Sequence, residues 1–87
     1  MSRETTKRVK QIVQKRFKCE GIYNELLDDK ITRRLRFILK DRQPVAGADV
    51  EISNELEEAG IMHGPCFIKQ TVSWRGLRNS LYIVMPA

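Results

Sequence analysis

The sequence predicts an α+β fold, with three to four helices followed by a C-terminal antiparallel β-hairpin. Three observations carry that expectation. Residues 2–18, SRETTKRVKQIVQKRFK, place apolar side chains at helical spacing, and DVEISNELEEAG does the same before ending on glycine. Residues 66–85, CFIKQTVSWRGLRNSLYIVM, alternate apolar and polar side chains on either side of a Gly- and Asn-containing turn.

The first helix is the best marked. Val9, Ile12, Val13 and Phe17 form its apolar stripe, and Ser2, Thr5 and Thr6 are candidate N-caps. At about 100° per residue, Arg3, Lys7, Arg8, Lys10, Lys15 and Lys18 fall opposite that stripe. Arg16 lies beside it, with a stem long enough to carry its charge to the edge.

Gly21 breaks the pattern. IYNELLDD then sets Ile22 and Leu26 one turn apart, which reads as a short second helix. Asp28 and Asp29 suit a turn or the N-cap of the next element. KITRRLRFILKDRQP is periodic in two ways. As a helix it stacks Ile31, Leu35, Ile38 and Leu39 and leaves Phe37 among Arg33, Arg36 and Lys40. As a strand it aligns Ile31, Leu35, Phe37 and Leu39, with Arg33 intruding and Ile38 among Arg34, Arg36 and Lys40. Leu, Arg and Lys content together with the Asp pair favours helix, and Pro44 ends the segment either way.

VAGAD reads as a loop. The next helix has Ile52, Leu56 and Ala59 on one side, Asp49 or Ser53 as cap, and Gly60 where a left-handed terminating residue is wanted. In the ribbon, Cys66, Ile68, Gln70, Val72 and Trp74 share one face and Phe67, Lys69, Thr71 and Ser73 the other. Leu81, Ile83 and Met85 alternate on the return. Trp74 is expected to close one end of the core.

Eighty-seven residues suit a single small domain spanning 1–87. At 41% hydrophobic and 31% charged residues the chain lacks the composition of a disordered segment. Cys19 and Cys66 have no metal-type spacing, and no leader precedes them, so reduced thiols in a cytoplasmic protein are expected. No apolar run approaches the roughly 18 residues of a membrane span.

Charge is uneven. Residues 1–43 hold thirteen Lys or Arg against six Asp or Glu, +7, while residues 44–87 hold three against five, −2. The basic half therefore faces an anionic partner, or simply water. His63 and Cys66 in HGPC lack the further ligands that zinc needs and the orienting group that a nucleophilic pair needs. No Ser-His-Asp spacing or phosphate-cradling glycine loop occurs. The sequence thus points away from an enzyme and suggests no catalytic residue, metal or cofactor.

Helices followed by an amphipathic helix and a hairpin resemble winged-helix domains in topology. That resemblance implies a DNA-binding regulatory or accessory protein, in which a helix enters the major groove and the hairpin touches the backbone. Only IMHGP separates the acidic helix from the ribbon, and Glu51, Glu55, Glu57 and Glu58 make that helix unfit to face phosphates. The expected recognition helix is therefore residues 29–41. Arg33, Arg34, Arg36 and Lys40 would supply phosphate and base contacts, Lys7 and Lys10 further phosphate contacts, and Arg75 and Arg78 a clamp at the ribbon tip. DNA is favoured over RNA as partner, and a homodimer would match a palindromic site. The rival from another class is a small protein-interaction module, an inhibitor or adaptor, docking its basic half on an acidic partner and adding a strand to its sheet edge. RNA binding is the third reading.

Overall fold

A computed structural model describes residues 2–86. The chain runs α1 (Arg3–Arg16), β1 (Cys19–Leu26), β2 (Arg33–Leu39), α2 (Ala48–Glu58), β3 (Cys66–Ser73) and β4 (Gly76–Met85). The four strands form one antiparallel sheet in the order β1-β2-β4-β3. Three to four helices with a terminal hairpin, and with them the winged-helix likeness, are thus corrected to two helices and a four-stranded sheet among the described residues. The hairpin is real, but it forms half of that sheet.

The error lies in residues 19–41. Both predicted helices there, IYNELLDD and residues 29–41, are strands or the turn between them. As a strand, Arg33–Leu39 buries Leu35, Phe37 and Leu39 together, at 0%, 0% and 1% exposure. A helix would leave Phe37 among cations. Helix propensities differ by at most about 0.7 kcal/mol per ordinary residue. Full burial of a Phe or Leu contributes about 1.5–3 kcal/mol, so packing in a central strand overrides the local preference.

Asp29 caps a turn rather than a helix. Its Oδ1 accepts from the backbone N–H groups of Ile31 (2.9 Å) and Thr32 (2.8 Å), and the Thr32 hydroxyl donates to its other oxygen. Lys30 is left-handed there, with φ 60°, and Leu27 N–H donates to Thr32 C=O at 2.9 Å. At the far end, Gln43 donates to the Lys18 and Lys40 carbonyls and accepts from Lys18 N–H, tying the start of β1 to the end of β2.

The helices are close to expectation. Ser2 caps α1, accepting from Thr5 N–H at 3.1 Å. The α2 N-cap is Gly47, however, and neither Asp49 nor Ser53 serves. Gly60, at φ 71°, ends α2 as expected: Ile61 N–H donates to Leu56 C=O and Gly60 N–H to Glu57 C=O, while Leu56 and Ile61 are both buried.

Val9, Val13 and Phe17 of α1 and Ala48, Ile52 and Leu56 of α2 pack with Leu35, Phe37, Leu39, Leu81, Ile83 and Met85 in one core. The two helices therefore cover one face of the sheet. Arg8 donates to the Ala59 carbonyl at the α2 C-terminus (2.8 Å), and Arg16 reaches Glu51 (2.7 Å) and Glu55 (2.9 Å). Both cations serve the helix pair. Among the described residues no helix is long and apolar enough to cross a membrane.

Candidate nucleic-acid interface

Because side chains alternate along a strand, the residues between the core positions form a second sheet face, which neither helix covers. On β2 these are Arg34, Arg36 and Ile38. The ladders place Tyr23 and Glu25 of β1, Ser80, Tyr82 and Val84 of β4, and Phe67, Lys69 and Thr71 of β3 beside them.

This face is a lattice of rings and guanidinium groups. Tyr82 stacks on Phe67, its direct partner across the β3–β4 ladder, with centroids 5.0 Å apart and planes 13° apart. The guanidinium carbon of Arg34 lies 4.7 Å from the Tyr82 centroid, and that of Arg36 lies 4.8 Å from the Tyr23 centroid. Lys69 Nζ is 5.5 Å from the Phe67 centroid. Such arrangements draw a cation to the negative face of a ring.

The carboxylates on this face are outnumbered. Glu25 Oε1 lies 3.3 Å from Arg34 Nη2 and 3.4 Å from Arg36 Nε. Among the described residues, neither Nε, of Arg34 or of Arg36, makes a well-aligned hydrogen bond. Glu20 Oε1 likewise serves Arg78 Nε (3.1 Å) and Arg75 Nη1 (3.8 Å). A β-bulge between Cys19 and Gly21 makes the second arrangement, since the extra residue turns Glu20 to the open side. Each carboxylate balances one of its two cations, which leaves the face positive.

Tyr23 owes its position to Gly21. A Cβ on Gly21 would sit 3.0 Å from Tyr23 Cε2 and 3.2 Å from its hydroxyl oxygen, so the ring lies over the space a side chain would fill. Tyr23 is 47% exposed. At the hairpin tip, Trp74 and Arg75 form a two-residue turn between the paired Ser73 and Gly76. Trp74 is 86% exposed, with the Arg75 guanidinium 4.5 Å from its ring centroid. The expectation that Trp74 closes the core is corrected: it sits in the turn, beyond the stretch of β4 that pairs with β2.

The single basic helix over 29–41 is replaced by two separate basic surfaces. Arg34, Arg36 and Arg78 belong to the open face, and Arg75 to its tip. Arg33 points to the helix side, where it lines a hollow with Arg3, Thr6, Lys7 and Lys10 of α1 and Asn24 of β1. Lys40 lies just past β2, exposed, its backbone N–H on the Lys18 carbonyl. Tyr23, Phe67 and Lys69, and Tyr82 buried beneath Arg34, are members of this face to which the sequence assigned no binding role. The signal was the strand period in RRLRFIL, which sets Arg34 and Arg36 on one side.

The thiol and imidazole of HGPC are disposed against nucleophilic chemistry. His63 Nδ1 is 2.7 Å from the Gly64 carbonyl and so carries the proton, which leaves it unable to take one from Cys66 Sγ, 3.7 Å away. Burial, with Asp49 and Glu57 nearby, pushes the Cys66 thiol up to about 11. Compared with protein-family models, curated proteins and solved structures, the chain matches none of them.

Proposed function

We propose that this protein binds single-stranded nucleic acid on its open sheet face. The observation that supports the reading is the seating of Arg34 and Arg36 on tyrosine rings, with one carboxylate shared between them, on a face no helix covers. Unpaired bases stack on aromatic rings and on guanidinium planes, and a positive surface holds the phosphates. Tyr23 and Trp74 are the exposed rings, Arg34, Arg36, Lys69 and Arg78 the cations of the face, and Arg75 the cation of the tip. Duplex reading by a recognition helix has no support, because residues 33–39 are a strand with one side in the core.

Trp74 is the sole tryptophan, so intrinsic fluorescence reports on the tip directly. The test is an anisotropy titration with single-stranded RNA, single-stranded DNA and duplex DNA at two salt concentrations. Trp74 emission is followed in parallel. Single strands are expected to bind more tightly than duplex, to quench Trp74, and to weaken as salt rises. Absence of binding to every nucleic acid at low salt, or a preference for duplex, overturns the reading.

A second reading, a protein-interaction module, draws on the hairpin. β3 is an edge of the sheet, and Val72 and Leu77, paired across the hairpin, are 83% and 59% exposed. An edge strand with exposed apolar neighbours suits strand addition by a partner. Binding of one stoichiometric protein after nuclease treatment, lost in Val72→Lys, distinguishes it from nucleic-acid binding.

A further inference from the structure

We infer that the hollow between α1 and the β1–β2 edge is a binding site for a multiply charged phosphate group, separate from the open sheet face. Its lining is Arg3, Thr6, Lys7 and Lys10 of α1, Asn24 of β1 and Arg33 of β2, around a volume of about 480 Å³. Four of these six side chains are cations. Among the described residues, none of the four has a carboxylate within 4.0 Å, whereas Arg16, Arg34, Arg36, Arg75 and Arg78 each do. The fold balances its other clustered arginines and leaves this cluster open.

Four like charges around one concavity repel one another, and a polyanion seated among them relieves that repulsion. The chemistry of the lining selects the anion. Arg33 offers a planar fork of donors that matches two phosphate oxygens at once, and the lysines add point charges on flexible stems. Asn24 adds an amide donor, while the Thr6 hydroxyl already donates to the Ser2 carbonyl at 3.1 Å and keeps only acceptor capacity. Of the α1 cations, Arg3 lies in the first turn, where the helix dipole adds positive potential. The volume falls within the range of small-ligand sites. The lining has no aromatic ring on which a base would stack, so the group recognised is the phosphate chain itself.

The strands explain why this site and the sheet face are distinct. Arg33 and Arg34 are consecutive on β2, as are Asn24 and Tyr23 on β1, and consecutive strand residues face opposite sides. One residue of each pair belongs to the hollow and the other to the open face. The phosphate group could arrive as free polyphosphate, as the tail of a nucleotide, or as the 5′ end of a strand.

The test is a ¹H–¹⁵N correlation titration of the full chain with sodium tripolyphosphate, against sodium sulfate at matched ionic strength. Saturable shifts confined to residues 3–10, 24 and 33 are expected, with affinity at least about tenfold lower in Arg33→Gln and in the Lys7→Gln/Lys10→Gln double variant. Thermal melts of these variants, whose side chains reach solvent, should stay close to wild type and so exclude misfolding. The Tyr23→Ala/Arg36→Ala variant should keep tripolyphosphate binding whether or not it loses oligonucleotides, which separates the two sites. ATP, 5′-phosphorylated and 5′-hydroxyl oligonucleotides identify the source. Non-saturable shifts, shifts equal to those with sulfate, shifts centred on Tyr23, Arg34 and Arg36, or unchanged affinity in the hollow variants would each overturn the inference.

Discussion

Arg36 and Tyr23 face each other directly across the β1–β2 ladder, and the guanidinium carbon of the arginine lies 4.8 Å from the centre of the ring. This pair sits at the rim of a helix-free sheet face. It gives that face a flat cation and a half-exposed ring at adjacent points.

If the pair acts as one stacking unit, a double-mutant cycle will show coupling. Tyr23→Ala should weaken single-stranded RNA binding by about 1–3 kcal/mol. Tyr23→Ala/Arg36→Ala should cost less than the sum of the two single substitutions. Anisotropy titrations of the four proteins at one salt concentration supply the numbers. Strict additivity counts against a joint role.

Gly21 should matter through Tyr23 rather than through stability alone. A methyl group there meets the ring at 3.0 Å, so Gly21→Ala must displace the ring from its present seat beside Arg36 by a few tenths of an ångström. The expected result is weakened oligonucleotide binding with altered Tyr23 and Arg36 resonances and a far-ultraviolet spectrum close to wild type. An unmoved Tyr23 ring in the variant's structure or its spectra refutes this.

The strand assignment of 33–39 predicts opposite outcomes for neighbouring positions. Phe37→Ala should destabilise by about 3–5 kcal/mol, as expected for a fully buried aromatic. Arg34→Gln, on the open face, should change the urea midpoint far less. Backbone amides of β2, hydrogen-bonded on both sides by β1 and β4, should be among the slowest to exchange with deuterium.

Acid should loosen the β1–β2 turn and the helix pair. Hydrogen bonds from the Thr32 hydroxyl and from the Ile31 and Thr32 backbone hold Asp29 below the usual carboxylate range, and Arg16 does the same for Glu55. A depressed carboxylate contributes stability that is complete above its unfolded pKa and is lost as pH falls through the folded one. Stability should therefore drop below about pH 4, and Asp29→Asn should show a shallower acid slope. Urea midpoints measured between neutral pH and pH 2 test both statements.

Cys66 should be a slow thiol. With burial pushing it up to about 11, little thiolate is present near pH 8, and alkylation should be much slower than in urea-unfolded protein. Raising the pH from the ordinary thiol range toward 11 should cost stability, because the unfolded chain releases this proton first. Cys66→Ser should flatten that alkaline loss in a urea series.

The sequence by itself determined α1, α2 with its Gly60 terminus, and the presence of a hairpin in 66–85, because each rests on local cues: a capped amphipathic period, a left-handed glycine, an alternation. The turn itself falls at Trp74 and Arg75 rather than over RGLRNS, which belongs almost wholly to β4. Of the sequence's candidate contacts, Lys7, Lys10 and Arg33 line the hollow and Arg34, Arg36, Arg75 and Arg78 the open face and its tip, whereas Lys40 joins neither and Arg3 and Lys69 are not among them. Tertiary structure alone decided residues 19–41. Their Leu, Arg and Lys content suits a helix, and only pairing with β4 gives Phe37 a buried place. Strand formation split Arg33 from Arg34 and Arg36, the β1–β2 ladder with its bulge turned Glu20 and Glu25 to the open face, and the β3–β4 ladder left Trp74 in a turn beyond the core. Nonlocal pairing and face alternation set these positions, and no local propensity encodes either.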